Sequence, residues 1–95
     1  MHNNSPMLLE IITPQKTFFK EEAEMVRVPG SKGSFAMMSD HAPIISTLEP
    51  GIIKVSNLGN DRYFQLLEKA IVENHDNKIT ILATRVEETY PIFVR

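Results

Sequence analysis

The sequence predicts an all-β fold, a sandwich or barrel of short strands. Apolar residues recur with a period of two over most of the chain, where a helix would repeat every 3.6 residues. Strand-sized runs return about every ten residues, and Gly, Pro, Asn and Asp cluster between them.

Taken in order, LLEIIT (8–13) is an apolar run that Glu10 interrupts, as in a strand with one partly wet face. EAEMVRVP (22–29) sets Glu24, Val26 and Val28 on one face against Met25 and Arg27 on the other. GIIKVSN (51–57) opposes Ile53 and Val55 to Lys54 and Ser56, and KITILA (78–83) opposes Ile79 and Ile81 to Thr80 and Leu82. RYFQLL (62–67) and KAIVEN (69–74) read as two more strands. The helix formers within YFQLLEKAIVENH make a helix the competing assignment there, but no N-cap opens it and Ile71-Val72 disfavours it. The closing YPIFVR reads as a short edge strand, where Pro91 is tolerated.

Turn chemistry fills the gaps. Thr13-Pro14-Gln15-Lys16 opens a loop, and Pro29-Gly30 ends a strand. Glu49-Pro50-Gly51 suits a type II turn, with Gly51 at the position of positive φ. Leu58-Gly59-Asn60-Asp61 and His75-Asp76-Asn77 form hairpin tips.

Ninety-five residues make one domain with a modest core, which leaves room for a partner to contribute stability. With 42% apolar and 23% charged residues, the composition is that of an ordinary soluble globular domain. A net charge of −2 lacks the basic footprint of a nucleic-acid binder, so no nucleic acid is expected as partner. The absence of cysteine excludes disulfides, thiolate catalysis and cysteine zinc sites. No apolar run approaches the eighteen or so residues that span a bilayer, and MHNNSP lacks the features of a secretory signal. Asn3-Asn4-Ser5 matches a glycosylation pattern without an export signal to give it meaning.

Reactive chemistry is sparse. Asp40-His41, with Ser39 or Ser46 as nucleophile, has triad residue types, but adjacent residues on an extended chain point to opposite faces. His2, His41, His75 and Asp76 match no metal-ligand spacing, so neither metal nor cofactor is expected. Gly30-Ser31-Lys32-Gly33-Ser34 has the wrong spacing for a phosphate loop and precedes an extended segment, which makes it a Gly-rich β-turn. In Phe35-Ala36-Met37-Met38, alternation sends Phe35 and Met37 one way and Met38 the other. Both faces are apolar, so core and interface roles stand side by side.

The run VRVPGSKGSFAMMSDHAPIISTLEPGIIKV (26–55) resembles the N-terminal domain of the ε subunit of F-type ATP synthases. Val28-Pro29-Gly30-Ser31 with Gly33, then His41-Ala42-Pro43, then Leu48-Glu49-Pro50-Gly51 follow one another in the family's order. LEIITPQKTFFKEEAEMV (9–26) is similar to the family's opening, and Asn77 with KITILA to its late strand. The resemblance runs over roughly residues 8–83. It implies a flattened, ten-stranded β-sandwich over 8–95, a leader at 1–7, and no C-terminal helical hairpin. It further implies a non-catalytic rotor-stalk subunit bound to γ, resting on the polar loops of the c-ring and serving the catalytic head. Such a subunit is peripheral at the cytoplasmic face of the bacterial inner membrane, and meets the membrane only through the complex. Ser31, Lys32, Ser34 and His41 become the expected ring-facing contacts, and one sandwich face is expected to pack on γ.

Three departures stand out. Lys32 and Ser34 lie where the family often carries acid, and Leu67-Glu68-Lys69 replaces a Ser-Gly-Gly connection, which would then be rebuilt. The chain also lacks the length of the helical hairpin that brakes hydrolysis in many relatives, so that role is not carried over. Apart from the resemblance, the residues leave open a free-standing ligand-binding sandwich or a small hydrolase.

Overall fold

The computed structural model describes residues 6–91, which form ten strands and no helix. The strands are β1 (Met7–Ile12), β2 (Thr17–Ala23), β3 (Met25–Val28), β4 (Phe35–Met38) and β5 (Ile44–Leu48), followed by β6 (Gly51–Asn57), β7 (Asn60–Leu66), β8 (Ala70–His75), β9 (Lys78–Ala83) and β10 (Val86–Thr89). They pack as two five-stranded sheets, ordered β2-β1-β9-β8-β5 and β10-β7-β6-β3-β4. All pairings are antiparallel except β1 with β9.

The period-two pattern dictates this arrangement. Leu9, Ile11, Val72, Ile79 and Ile81 of one sheet face Val26, Met37, Ile53, Phe64 and Leu66 of the other, all withdrawn from solvent. Each such side chain contributes about 1.5–3 kcal/mol by leaving water. Phe64 meets Phe18 and Phe19 edge-on, with ring centroids 6.1 and 4.8 Å apart.

The segment 62–74 is strand in both halves. Phe64 and Leu66, then Ala70 and Val72, enter the core at a spacing of two, which a helix could not do. Elsewhere the expectations need correction. EAEMVRVP is not one strand: the chain bends at Glu24 and passes from the first sheet to the second. Glu24 therefore shares no face with Val26. Its backbone N–H donates to Ser56 O at 2.8 Å, and its carboxylate accepts from Leu58 N–H at 3.0 Å. Among the described residues the last strand is Val86–Thr89, an edge strand in which Val86 and Glu88 pair with Leu66 and Phe64. Tyr90 and Pro91 lie outside any strand, and 92–95 lie outside the described residues. At the other terminus β1 already starts at Met7, which is 1% exposed and belongs to the core.

Two hairpins close with two residues in the left-handed region, Leu58 and Gly59 (φ 52° and 79°) and Asp76 and Asn77 (φ 51° and 59°). That geometry matches the twist of the flanking strands. Gly51, by contrast, does not reach positive φ, so 49–51 is not a type II turn. Its glycine is needed for space: a Cβ there would lie 2.9 Å from Pro29 Cβ.

Candidate functional site

The strands run between two ends of the sandwich. One end, the Pro29 end, carries the connections 13–16, 29–34, 49–50, 67–69 and 84–85. The other, the Asp40 end, carries Glu24, the loop 39–43 and the tips 58–59 and 76–77.

The expected contacts divide between these ends. Ser31, Lys32 and Ser34 sit together and exposed in the Pro29-end loop. His41 follows β4, and so lies at the Asp40 end. The four residues of β4 separate the two groups by about 10 Å of strand rise. A flat partner surface across one end therefore meets either the serine–lysine loop or His41.

The Pro29-end loop is firmly built. Gly33 N–H donates to Gly30 O at 3.0 Å, closing the expected β-turn. A Cβ on Gly30 would lie 2.6 Å from Gly33 O and 2.7 Å from the Phe35 ring. Gly33 itself has φ 123°, a region that side chains resist. The loop also stitches the sheets together. Gly30 bridges to Leu48, Ser31 N–H donates to Thr47 O at 3.0 Å, and Glu49 N–H donates to Pro29 O at 2.8 Å. Thr47 Oγ1 donates to Ser31 Oγ at 2.8 Å, and Ser31 Oγ donates to Glu49 Oε2 at 2.7 Å. Ser31 is thus engaged within the fold, whereas Lys32 projects without an ion pair among the described residues. Ser34 Oγ accepts from Arg27 at 3.4 Å.

Among the described residues, Asp40, His41 and Ser46 do not form a triad at the Asp40 end. Asp40, at φ 65°, exchanges two hydrogen bonds with Asn77: its N–H donates to Asn77 Oδ1 at 2.6 Å, and Asn77 Nδ2 donates to its carboxylate at 3.1 Å. His41 Nδ1 lies 2.7 Å from the Ala42 carbonyl oxygen, and Ser46 Oγ donates to Thr47 O. Carboxylate, imidazole and Ser46 hydroxyl each have other partners, so the hydrolase reading loses its geometry. Ala42 and Pro43 are exposed as the chain crosses from β4 to β5. Of the apolar segment, Met37 is core, Phe35 packs against it, and Met38 is 58% exposed. A cleft of about 460 Å³ at this end is lined by Pro6, Met7, Ala23, Met38 and Leu58 with polar neighbours, and has no aromatic wall. That is poor material for a sugar platform. Among the described residues no group of His and carboxylates could hold a metal ion.

The connection 67–69 contains no left-handed residue, so Glu68 and Lys69 fit where glycines were not needed. Leu67 N–H donates to Arg85 O at 3.0 Å, and Glu68 lies 3.9 Å from Arg85.

Sequence reasoning missed an apolar row on the outside of the first sheet. Ile12, Leu82 and Ile71 lie side by side across β1, β9 and β8, with Thr47 of β5 next in line. Leu82 is 52% and Ile71 45% exposed. The signal was present in KITILA, where Leu82 falls on the wet face with Thr80, and in the Ile71-Val72 pair.

The family described as "ATP synthase, Delta/Epsilon chain, beta-sandwich domain" matches residues 6–89. The chain belongs to this family. Among curated relatives, the ATP synthase epsilon chain of Magnetococcus marinus is 35% identical over 81% of this chain and 56% of its own length. The epsilon chain of Pelagibacter ubique is 40% identical over 82% of this chain and 60% of its own. The chain thus spans a little over half the length of these epsilon chains. A chain in the Euglena gracilis mitochondrial ATP synthase structure with F1 and c-ring superposes with TM-score 0.82 at 15% identity, over 87% of this chain and 53% of its own. A second, from the central stalk and c-ring of the Tetrahymena thermophila enzyme, gives 0.72 at 18%, over 90% and 69%. At these identities the likeness is one of fold, and it is the family's sandwich.

Proposed function

We propose that this epsilon-family chain is a non-catalytic rotor-stalk element of an F-type ATP synthase, joining γ to the membrane c-ring. In that role it couples ion-driven rotation to ATP synthesis in the catalytic head, and sits peripherally at the cytoplasmic face of the bacterial inner membrane. The observation that carries this reading is the outward-facing row Ile12–Leu82–Ile71, half-buried at Ile12 and exposed at Leu82 and Ile71, beside a stiff cross-linked end. Transmitting torque calls for a rigid body with two cohesive faces rather than a pocket. The row supplies apolar surface for γ, since covering Leu82 and Ile71 removes area that water now touches. The Pro29 end, with Lys32 and Ser34 at its tip, is the ring contact. His41 belongs to the far end and is assigned no ring contact. Names of relatives support the assembly, and their mitochondrial structural counterparts come from stalk and c-ring complexes.

Co-purification with the γ subunit of the same organism tests the γ face. Leu82→Glu with Ile71→Glu should lower γ affinity by about tenfold or more, because each buried charge must be dehydrated. Both side chains lie on the outer face, so the isolated chain should stay folded, with Tm lowered by only a few degrees through the two facing carboxylates. Full γ binding by this double variant removes the face from the interface.

A further inference from the structure

We propose that the Pro29 end is a cationic docking surface whose partner is a protein surface bearing carboxylates. Among the described residues, the charge of the connections between strands is polarised along the strand axis. The connections at the Pro29 end carry Lys16, Lys32, Lys69 and Arg85 against Glu49 and Glu68. All four cations are exposed. Among the described residues, the connections at the Asp40 end carry Glu24, Asp40 and Asp76 and no Lys or Arg. The molecule as a whole has net charge −2, so the cationic end stands against its own total.

The acids of the Pro29 end are largely spent inside it. Glu49 accepts from Ser31 Oγ and is only partly exposed, and Glu68 faces Arg85. Lys32 and Lys69 make no ion pair among the described residues. Two unpaired lysines thus project from a loop and a strand connection that backbone bonds hold in place. A field of one sign speeds encounter with a surface of the opposite sign, and rejects a like-charged one.

This inference rests on the stalk reading, in which the Pro29 end meets the ring; it adds that the ring's polar loops there present acid to Lys32 and Lys69. The test uses the chain bound to its γ subunit, with association to the detergent-solubilised c-ring of the same organism followed by biolayer interferometry. Lys32→Glu with Lys69→Glu should slow association about tenfold in about 50 mM salt, and the difference should vanish near 500 mM, where screening is short-ranged. Lys32→Arg should behave as wild type. A charge-reversed variant that associates as fast as wild type, or faster, overturns the proposal while leaving the stalk reading intact. Failure of the wild-type complex to bind the ring at all overturns both. Phosphatidylcholine vesicles with and without phosphatidylglycerol separate the lipid source. Lysine-dependent binding to the anionic vesicles, with charge-indifferent binding to the ring, assigns the surface to headgroups and overturns the protein partner.

Discussion

Asn74 is the one buried polar residue of the described core, 1% exposed on the inner face of β8. Neither its amide nitrogen nor its amide oxygen has a hydrogen-bond partner among the described residues. A buried amide without partners costs about 1–3 kcal/mol, more than most single contacts return. Asn74→Leu, which keeps the branched shape with bulkier methyls in place of the amide atoms, should therefore stabilise the chain by about 1 kcal/mol net of tighter packing, raising Tm by a few degrees. Urea unfolding with an unchanged slope measures this; a destabilised Leu variant would mean that the amide is satisfied in solution. Nothing in VENHD singles out Asn74 beforehand. The alternation does place it inward with Ala70 and Val72, but it gives no account of why an amide stands there.

At the scale of elements, the two sides of the sandwich are closed by different devices. The β4–β5 side is sewn by backbone bonds through Gly30, Ser31 and Glu49. On the β2–β10 side the aromatic contacts of Phe18 and Phe19 with Phe64 are clasped by one polar side chain. Arg62 Nε and Nη2 donate to the two carboxylate oxygens of Glu88 at 2.9 Å each, and Nη1 donates to Glu21 at 3.0 Å. Its guanidinium also lies 4.8 Å from the centre of the Phe19 ring and 5.7 Å from that of Phe64. Hydrogen bonding to Arg62 holds the Glu88 carboxyl below its ordinary pKa, and the same bond raises that of Arg62. A carboxyl with a depressed folded pKa stabilises above its unfolded value, near 4.5, and the gain disappears as pH falls through the folded pKa. The Arg62 shift is upward from a group already charged at every working pH, so it has no effect there. A double-mutant cycle with Arg62→Gln and Glu88→Gln should give a coupling of about 1 kcal/mol at pH 7. The coupling should shrink as pH falls below the unfolded carboxyl value and through the depressed folded pKa of Glu88. A coupling unchanged in acid would assign it to packing on the aromatic rings instead.

At the scale of the molecule, the sandwich presents the apolar row of the first sheet, which runs into the cationic Pro29 end, and, across the length of the strands, the acidic Asp40 end. His41 lies on the last of these, so His41→Ala should leave ring association within about twofold of wild type, as expected for sites without shared partners. The same interferometry that reads the lysine variants reads this one. A tenfold loss would put the Asp40 end against the ring and reverse the orientation inferred for the whole subunit.

The sequence by itself determined the strand character of almost every element and the motifs that carry the family. Period-two alternation and turn chemistry are local properties, written within ten residues of one another, as in KITILA or Asp76-Asn77. It also suggested, wrongly, that EAEMVRVP is continuous and that Gly51 needs positive φ. Only the tertiary structure decided those points, because a bend between sheets and a proline packed across a turn are set by distant partners. Likewise, PGSKGS and DHAP are neighbours in sequence, and only four residues of extended chain carry them to opposite ends of the fold. The row Ile12–Leu82–Ile71, the Arg62 clasp and the polarity of charge exist only once strands far apart in sequence lie side by side. Such surfaces are made by register, and register is a relation between segments that no single segment contains.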